Sequence, residues 1–129
     1  MDEKVLLRTE SRSLYPAAEM RQFDKVIRVF YNYLRDSGRM ELVWSDKVGY
    51  VLISVDVNRR RAESGTKVIL NAGTLVDLLL REIAADVAAD AGKRRLTRKE
   101  YPEYRRRTKE YLDQLPEYSS AGPAAIRSG

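Results

Sequence analysis

The sequence predicts an α+β fold: an αβββα two-layer domain, with a three-stranded antiparallel meander and two helices on one face, plus a basic C-terminal helix. Three observations carry this reading. Apolar residues between Met20 and Leu34 recur at spacings of three and four, the period of an amphipathic helix. Residues 40–57 switch to alternation interrupted by a polar turn, the pattern of a hairpin. A second three/four pattern then runs from Val76 to Val87.

Residues 1–14 mix charge with Val5, Leu6 and Leu7 and show no clear period; a short strand or an arm fits them. Tyr15-Pro16 opens the first helix, because proline in the first helical turn gives up an N–H that has no partner there. Met20, Phe23, Val26, Ile27, Phe30, Tyr31 and Leu34 form its apolar stripe, and Gly38 ends it in a left-handed cap. Met40, Leu42 and Trp44 share one side of the first strand, and Ser45 to Gly49 supply turn residues. In the second strand, Tyr50 to Val57, the residues Val51, Ile53, Val55 and Val57 are assigned to the helix-covered face. Tyr50 and Leu52 then fall on the outer face, near Val43 and Ile69. Residues 58–65 read as an exposed loop and Thr66 to Leu70 as the third strand.

Asn71 to Thr74 provide cap candidates for the next helix, whose core face is Val76, Leu79, Leu80, Ile83 and Val87, widened by Leu75 and Leu78. Gly92 closes it. Residues 1–92 are thus expected to form the core domain, 93–116 an appended basic helix, and 117–129 a disordered tail rich in Ser, Ala, Gly and Pro. Thr97 followed by Glu100 matches a capping box. A helix begun at Thr97 would carry Pro102 in its interior, so the preferred start is near Tyr101. Tyr104, Thr108, Tyr111, Leu112 and Leu115 make its stripe, and Pro116 ends it.

Composition narrows the chemistry. The 129 residues, 43% of them hydrophobic, suit one domain with its own core. With no cysteine and no histidine, the chain has neither a disulfide nor an imidazole- or thiolate-based catalytic or metal site. Carboxylate-only metal binding would fall to Glu41, Asp46 and Asp56, which read more simply as solvated surface acids. No Gly-rich phosphate loop is present, so no cofactor is expected, and the protein is expected not to be an enzyme. The charged N-terminus and the lack of a long apolar run predict a soluble, cytoplasmic chain that engages no membrane.

The net charge of +5 is concentrated in one place. Residues 1–92 balance 14 basic against 14 acidic groups, whereas residues 93–110 hold nine basic groups against three acids. Lys93, Arg94, Arg95, Arg98, Lys99, Arg105, Arg106, Arg107 and Lys109 are candidate phosphate contacts, because arginine forks phosphate bidentately and lysine adds a point charge. Arg59, Arg60 and Arg61 could join them from the long loop. Tyr101, Tyr104 and Tyr111 interleave with these cations as stacking faces or partner contacts. Tyr50 and Leu52, on the outer sheet face, are further candidates for a partner or homodimer contact; the alternative, slightly favoured, is that the last helix covers this face, since Tyr104, Tyr111 and Leu115 need a surface to pack on. The plain reading of the last helix is that it packs on its own protein and leaves its arginines solvated.

In element order, αβββα resembles the double-stranded-RNA-binding domain. Asn71-Ala72-Gly73-Thr74-Leu75 stands where that module carries Lys-Lys-x-Ala-Lys, so the resemblance transfers no site residues. With its last helix the order also resembles that of small phage-encoded inhibitors of a CRISPR effector, which are typically acidic where this chain is basic. The leading expectation is a non-catalytic nucleic-acid-binding or nucleoprotein-associated small protein, of the kind carried by a phage or mobile element. The alternative is a protein-binding adaptor or inhibitor whose partner is an acidic protein or a host nucleoprotein.

Overall fold

The computed structural model describes residues 14–54 and 65–118. The elements in order are α1 (Ala17–Val29), α2 (Tyr31–Ser37), β1 (Met40–Ser45), β2 (Gly49–Ser54), β3 (Gly65–Val68), α3 (Ala72–Asp90) and α4 (Tyr101–Asp113), with a 3₁₀ turn at Pro116–Tyr118. The chain is α+β, and its sheet is an antiparallel meander in the order β1-β2-β3. It divides between Thr74 and Leu75 into two compact units. The break falls in the first turn of α3, so most of that helix groups with the basic segment that follows it. Residues 1–13, 55–64 and 119–129 lie outside the described residues, and with them the expected end of the second strand at Val55 and Val57, most of the expected loop and most of the expected tail.

In the first unit, the helix expected from Pro16 to Gly38 is two helices that meet at Phe30, whose φ of −95° and ψ of 11° interrupt the regular spiral. Hydrogen bonding continues across the junction, from Phe30 N–H to Val26 O (3.0 Å) and from Leu34 N–H to Phe30 O (2.9 Å). Phe23, Val26, Ile27 and Phe30 of the expected stripe are buried, whereas Tyr31 is exposed beneath the Arg35 guanidinium, 5.8 Å from its ring centroid. Gly38 ends α2 with φ 70°, in the left-handed region. The Ser37 hydroxyl then accepts the N–H groups of Arg39 (3.2 Å) and Met40 (3.1 Å), turning the chain into β1.

The hairpin register pairs Leu42 with Leu52 and Trp44 with Tyr50. That register corrects the assignment of sheet faces. Tyr50 is fully buried and Leu52 nearly so, and the Tyr50 ring lies 4.7 Å from that of Phe23 on α1. The helix-covered face therefore carries Tyr50 and Leu52 with Met40, Leu42 and Trp44. The opposite face carries Val51 and Ile53. Both sets are apolar, so alternation alone does not say which set faces inward. The decision falls to the aromatic cluster of Tyr15, Phe23, Trp44 and Tyr50, whose rings meet in tilted, edge-on and stacked arrangements with centroids 4.7–6.1 Å apart. As core residues, Tyr50 and Leu52 offer nothing to a partner.

α3 opens as its sequence implies. Asn71 Oδ1 accepts the Thr74 N–H at 2.8 Å, an N-cap, and the Glu19 carboxylate of α1 accepts the Ala72 N–H at 2.6 Å. Leu75, Val76, Leu79, Leu80, Ile83 and Val87 are all buried. Its far end is a Schellman motif: Lys93 N–H bonds to Ala88 O (2.8 Å) and Gly92 N–H to Ala89 O (2.9 Å), with Gly92 at φ 76°.

Candidate nucleic-acid interface

The basic segment begins at that cap. Between Lys93 and the start of α4, the chain is closed by the Glu100 side chain, which is only 8% exposed. One carboxylate oxygen accepts the Thr97 N–H (3.1 Å) and the Thr97 hydroxyl; the other takes the Lys93 ammonium. Half of the expected capping box is thus present: the glutamate reaches back to the threonine N–H, while the threonine oxygen accepts the N–H of Lys99 (3.3 Å). These donors, Lys93 first and then Thr97, hold the Glu100 carboxyl down at about 2, from an ordinary 4.5. A tight turn follows, with Glu100 N–H to Thr97 O at 3.1 Å, and α4 begins at Tyr101 with Pro102 in its first turn, as the proline required.

Along α4 the buried stripe is Tyr104 and Thr108, with Leu115 beyond the helix end. The Thr108 hydroxyl is spent on the Tyr104 carbonyl (2.9 Å), and burial pushes the Tyr104 phenol up to about 12. Outside the stripe, several cations are already matched. Arg106 forks Glu103 through Nε (2.9 Å) and Nη2 (2.6 Å). Arg107 binds the same carboxylate (2.7 Å) and reaches back to Asp90 at the end of α3 (2.9 Å). Lys109 pairs with Asp113 at 2.8 Å. Squeezed between two arginines, Glu103 has its carboxyl held at about 2.

The nine cations therefore fall into two sets. Lys93, Arg106, Arg107 and Lys109 are each paired with a carboxylate. Arg94, Arg95, Arg98, Lys99 and Arg105 are exposed and form no ion pair among the described residues. Four of these five lie in the turn between Lys93 and Glu100. The fifth, Arg105, lies over the Tyr101 ring at 5.9 Å.

No protein-family model, curated protein or solved structure matches this chain. The site must stand on its own geometry.

The three tyrosines divide as well. Tyr104 is buried, while Tyr101 and Tyr111 are half-buried. The Tyr101 ring stacks on Tyr104 with centroids 5.8 Å apart and 21° between planes. Arg59, Arg60 and Arg61 lie outside the described residues, as does Asp56. Of the other two carboxylates weighed for a metal, Glu41 is an exposed residue of β1, and Asp46 accepts the indole N–H of Trp44 at 3.0 Å. Among the described residues, no three acidic side chains gather into a metal-binding group. Among the same residues, no helix is long and apolar enough to cross a membrane.

Part of this pairing is written in the sequence. Glu103 precedes Arg106 and Arg107 by three and four residues, and Lys109 precedes Asp113 by four, all favourable helical spacings for ion pairs. Asp90 gives no such signal, because it meets Arg107 only when two helices fold back on each other.

Proposed function

We propose that this is a non-catalytic nucleic-acid-binding protein that grips the phosphate backbone through Arg94, Arg95, Arg98, Lys99 and Arg105. One observation carries the reading. In a segment that neutralises four of its cations internally, five others stand exposed with no carboxylate partner among the described residues. A solvated face of ordinary composition would intersperse its charges. Here four exposed cations fall within six residues, and the one acid next to them, Glu100, is turned inward and satisfied. Phosphate contacts of this kind position a protein on a nucleic acid without reading its bases.

The test is fluorescence anisotropy of a labelled duplex titrated with the full chain at several salt concentrations, beside the Arg94/Arg95/Arg98→Ala variant. Steep weakening with salt, and loss of most binding in the variant, support the reading. An absence of binding at low salt overturns it. An acidic protein or a nucleoprotein could present carboxylates or phosphates to the same cations. Co-purification with and without nuclease separates that case, since a protein partner is retained after nuclease.

A further inference from the structure

We infer that the site takes the backbone of a double-stranded nucleic acid in preference to a single strand; this rests on the phosphate-binding reading above. Proteins that hold single strands combine a basic groove with aromatic rings on which unpaired bases stack. This segment has the tyrosines for that role but not the open rings. Tyr104 is 5% exposed, and Tyr101 is engaged by Tyr104 on the helix and by the Arg105 guanidinium. Tyr111 is half-buried. A base arriving at the cations finds guanidinium and ammonium groups, with Tyr104 buried and the Tyr101 ring already engaged by Tyr104 and Arg105.

The second observation is the fixing of the turn. Its entrance is locked by the Schellman motif at Gly92 and Lys93, and its exit by the turn running into α4, where Glu100 N–H bonds to Thr97 O and Tyr101 N–H to Arg98 O. Glu100 ties the two together through Lys93 and Thr97. The backbone carrying Arg94, Arg95, Arg98 and Lys99 is therefore held before any ligand arrives. A preset array suits a ligand whose phosphates are themselves preset, as on a duplex. A flexible strand would have to lose conformational freedom to match it, with no stacking to offset that loss.

The experiment is a direct titration of the full chain against duplex DNA, duplex RNA and single-stranded DNA of equal length, across salt. Tighter binding of a duplex is expected at every salt concentration. If the five cations each neutralise one phosphate, log K should fall against log salt with a slope of about −4.5 for duplex DNA and about −3.5 for a single strand. Single-strand binding equal to or tighter than both duplexes overturns the inference while leaving the phosphate reading intact. Failure of the unaltered chain to bind any of the three overturns both.

Discussion

The hydroxyl of Tyr15 is inserted into the β2–β3 ladder at Tyr50. In the step after Val51 and Val68, Ile69 N–H donates directly to Tyr50 O at 2.9 Å. The reciprocal bond, from Tyr50 N–H to Ile69 O, is replaced by a relay. Tyr50 N–H donates to the Tyr15 oxygen at 3.0 Å, and the Tyr15 O–H donates to Ile69 O at 2.7 Å. A side chain from the residue before Pro16 thus completes a backbone pair in the sheet and brings the start of α1 to the same point. Burial outweighs the donated hydrogen bond and raises the Tyr15 phenol above its usual range.

Tyr15→Phe keeps the ring against Phe23 and Tyr50 and removes only the relay. Two buried backbone groups lose their partner, a cost of about 1–3 kcal/mol. Urea unfolding should show the free energy of unfolding reduced by that amount, as a lower midpoint with the slope unchanged. A midpoint equal to that of the parent chain would mean that the ladder closes directly when the oxygen is gone.

Gly49 presses on the same tyrosine. A Cβ built there would collide with the Tyr15 hydroxyl and sit 2.8 Å from two of its ring carbons, on a backbone with φ 87°. Gly38 has a similar φ of 70° with nothing within 4 Å of its Cβ position. Gly38→Ala should therefore cost only the left-handed strain, about 1–2 kcal/mol. Gly49→Ala adds displacement of Tyr15 to that strain, so it should be the more destabilising of the two in the same unfolding assay. Equal losses would show that Tyr15 moves aside freely.

These two residues mark how far a sequence can be read. The Phe23, Val26, Ile27 stripe and the Gly38 cap were legible because both are local: period and cap chemistry act within a few residues. The Pro102 argument placed the start of α4 for the same reason. The sheet faces were not legible, since Tyr50 and Leu52 alternate with the equally apolar Val51 and Ile53. Contacts with Phe23 and Tyr15, remote in sequence, decide between them. The insertion of Tyr15 spans 54 residues to Ile69 and leaves no local trace. In the candidate site, the concentration of charge was plain from composition. Which cations stay exposed depended on Asp90 meeting Arg107 and on Glu100 turning inward.

Glu100 and Glu103 make stability depend on acid. Both carboxyls are held at about 2 when folded, against 4.5 as an ordinary value. A group whose folded pKa is depressed contributes fully above its unfolded pKa, and the contribution is lost as pH falls through the folded one. Melting temperature should therefore be level above about pH 5 with respect to these two groups and decline between roughly 4.5 and 2. The Glu100→Gln variant should melt lower at neutral pH and show a shallower acid decline than the parent. An unaltered acid limb in that variant would mean that Glu100 is not held as described.

Two variants that each remove cations from the basic segment should behave in opposite ways. Arg94, Arg95 and Arg98 touch no carboxylate among the described residues, so replacing them with alanine removes the proposed phosphate contacts and leaves the fold alone. The unfolding midpoint should stay put, while the salt slope of nucleic-acid binding becomes shallower by about one unit for each phosphate that is no longer gripped. Arg106 and Arg107 are engaged with Glu103, and Arg107 also joins α4 to the end of α3 through Asp90. The Arg106/Arg107→Ala variant leaves Glu103 without its two partners. Its unfolding midpoint should fall, and its salt slope should stay near that of the parent, measured where both are folded. The reverse pattern, with binding abolished in the second variant and stability reduced in the first, would move the interface from the turn to the exposed side of α4.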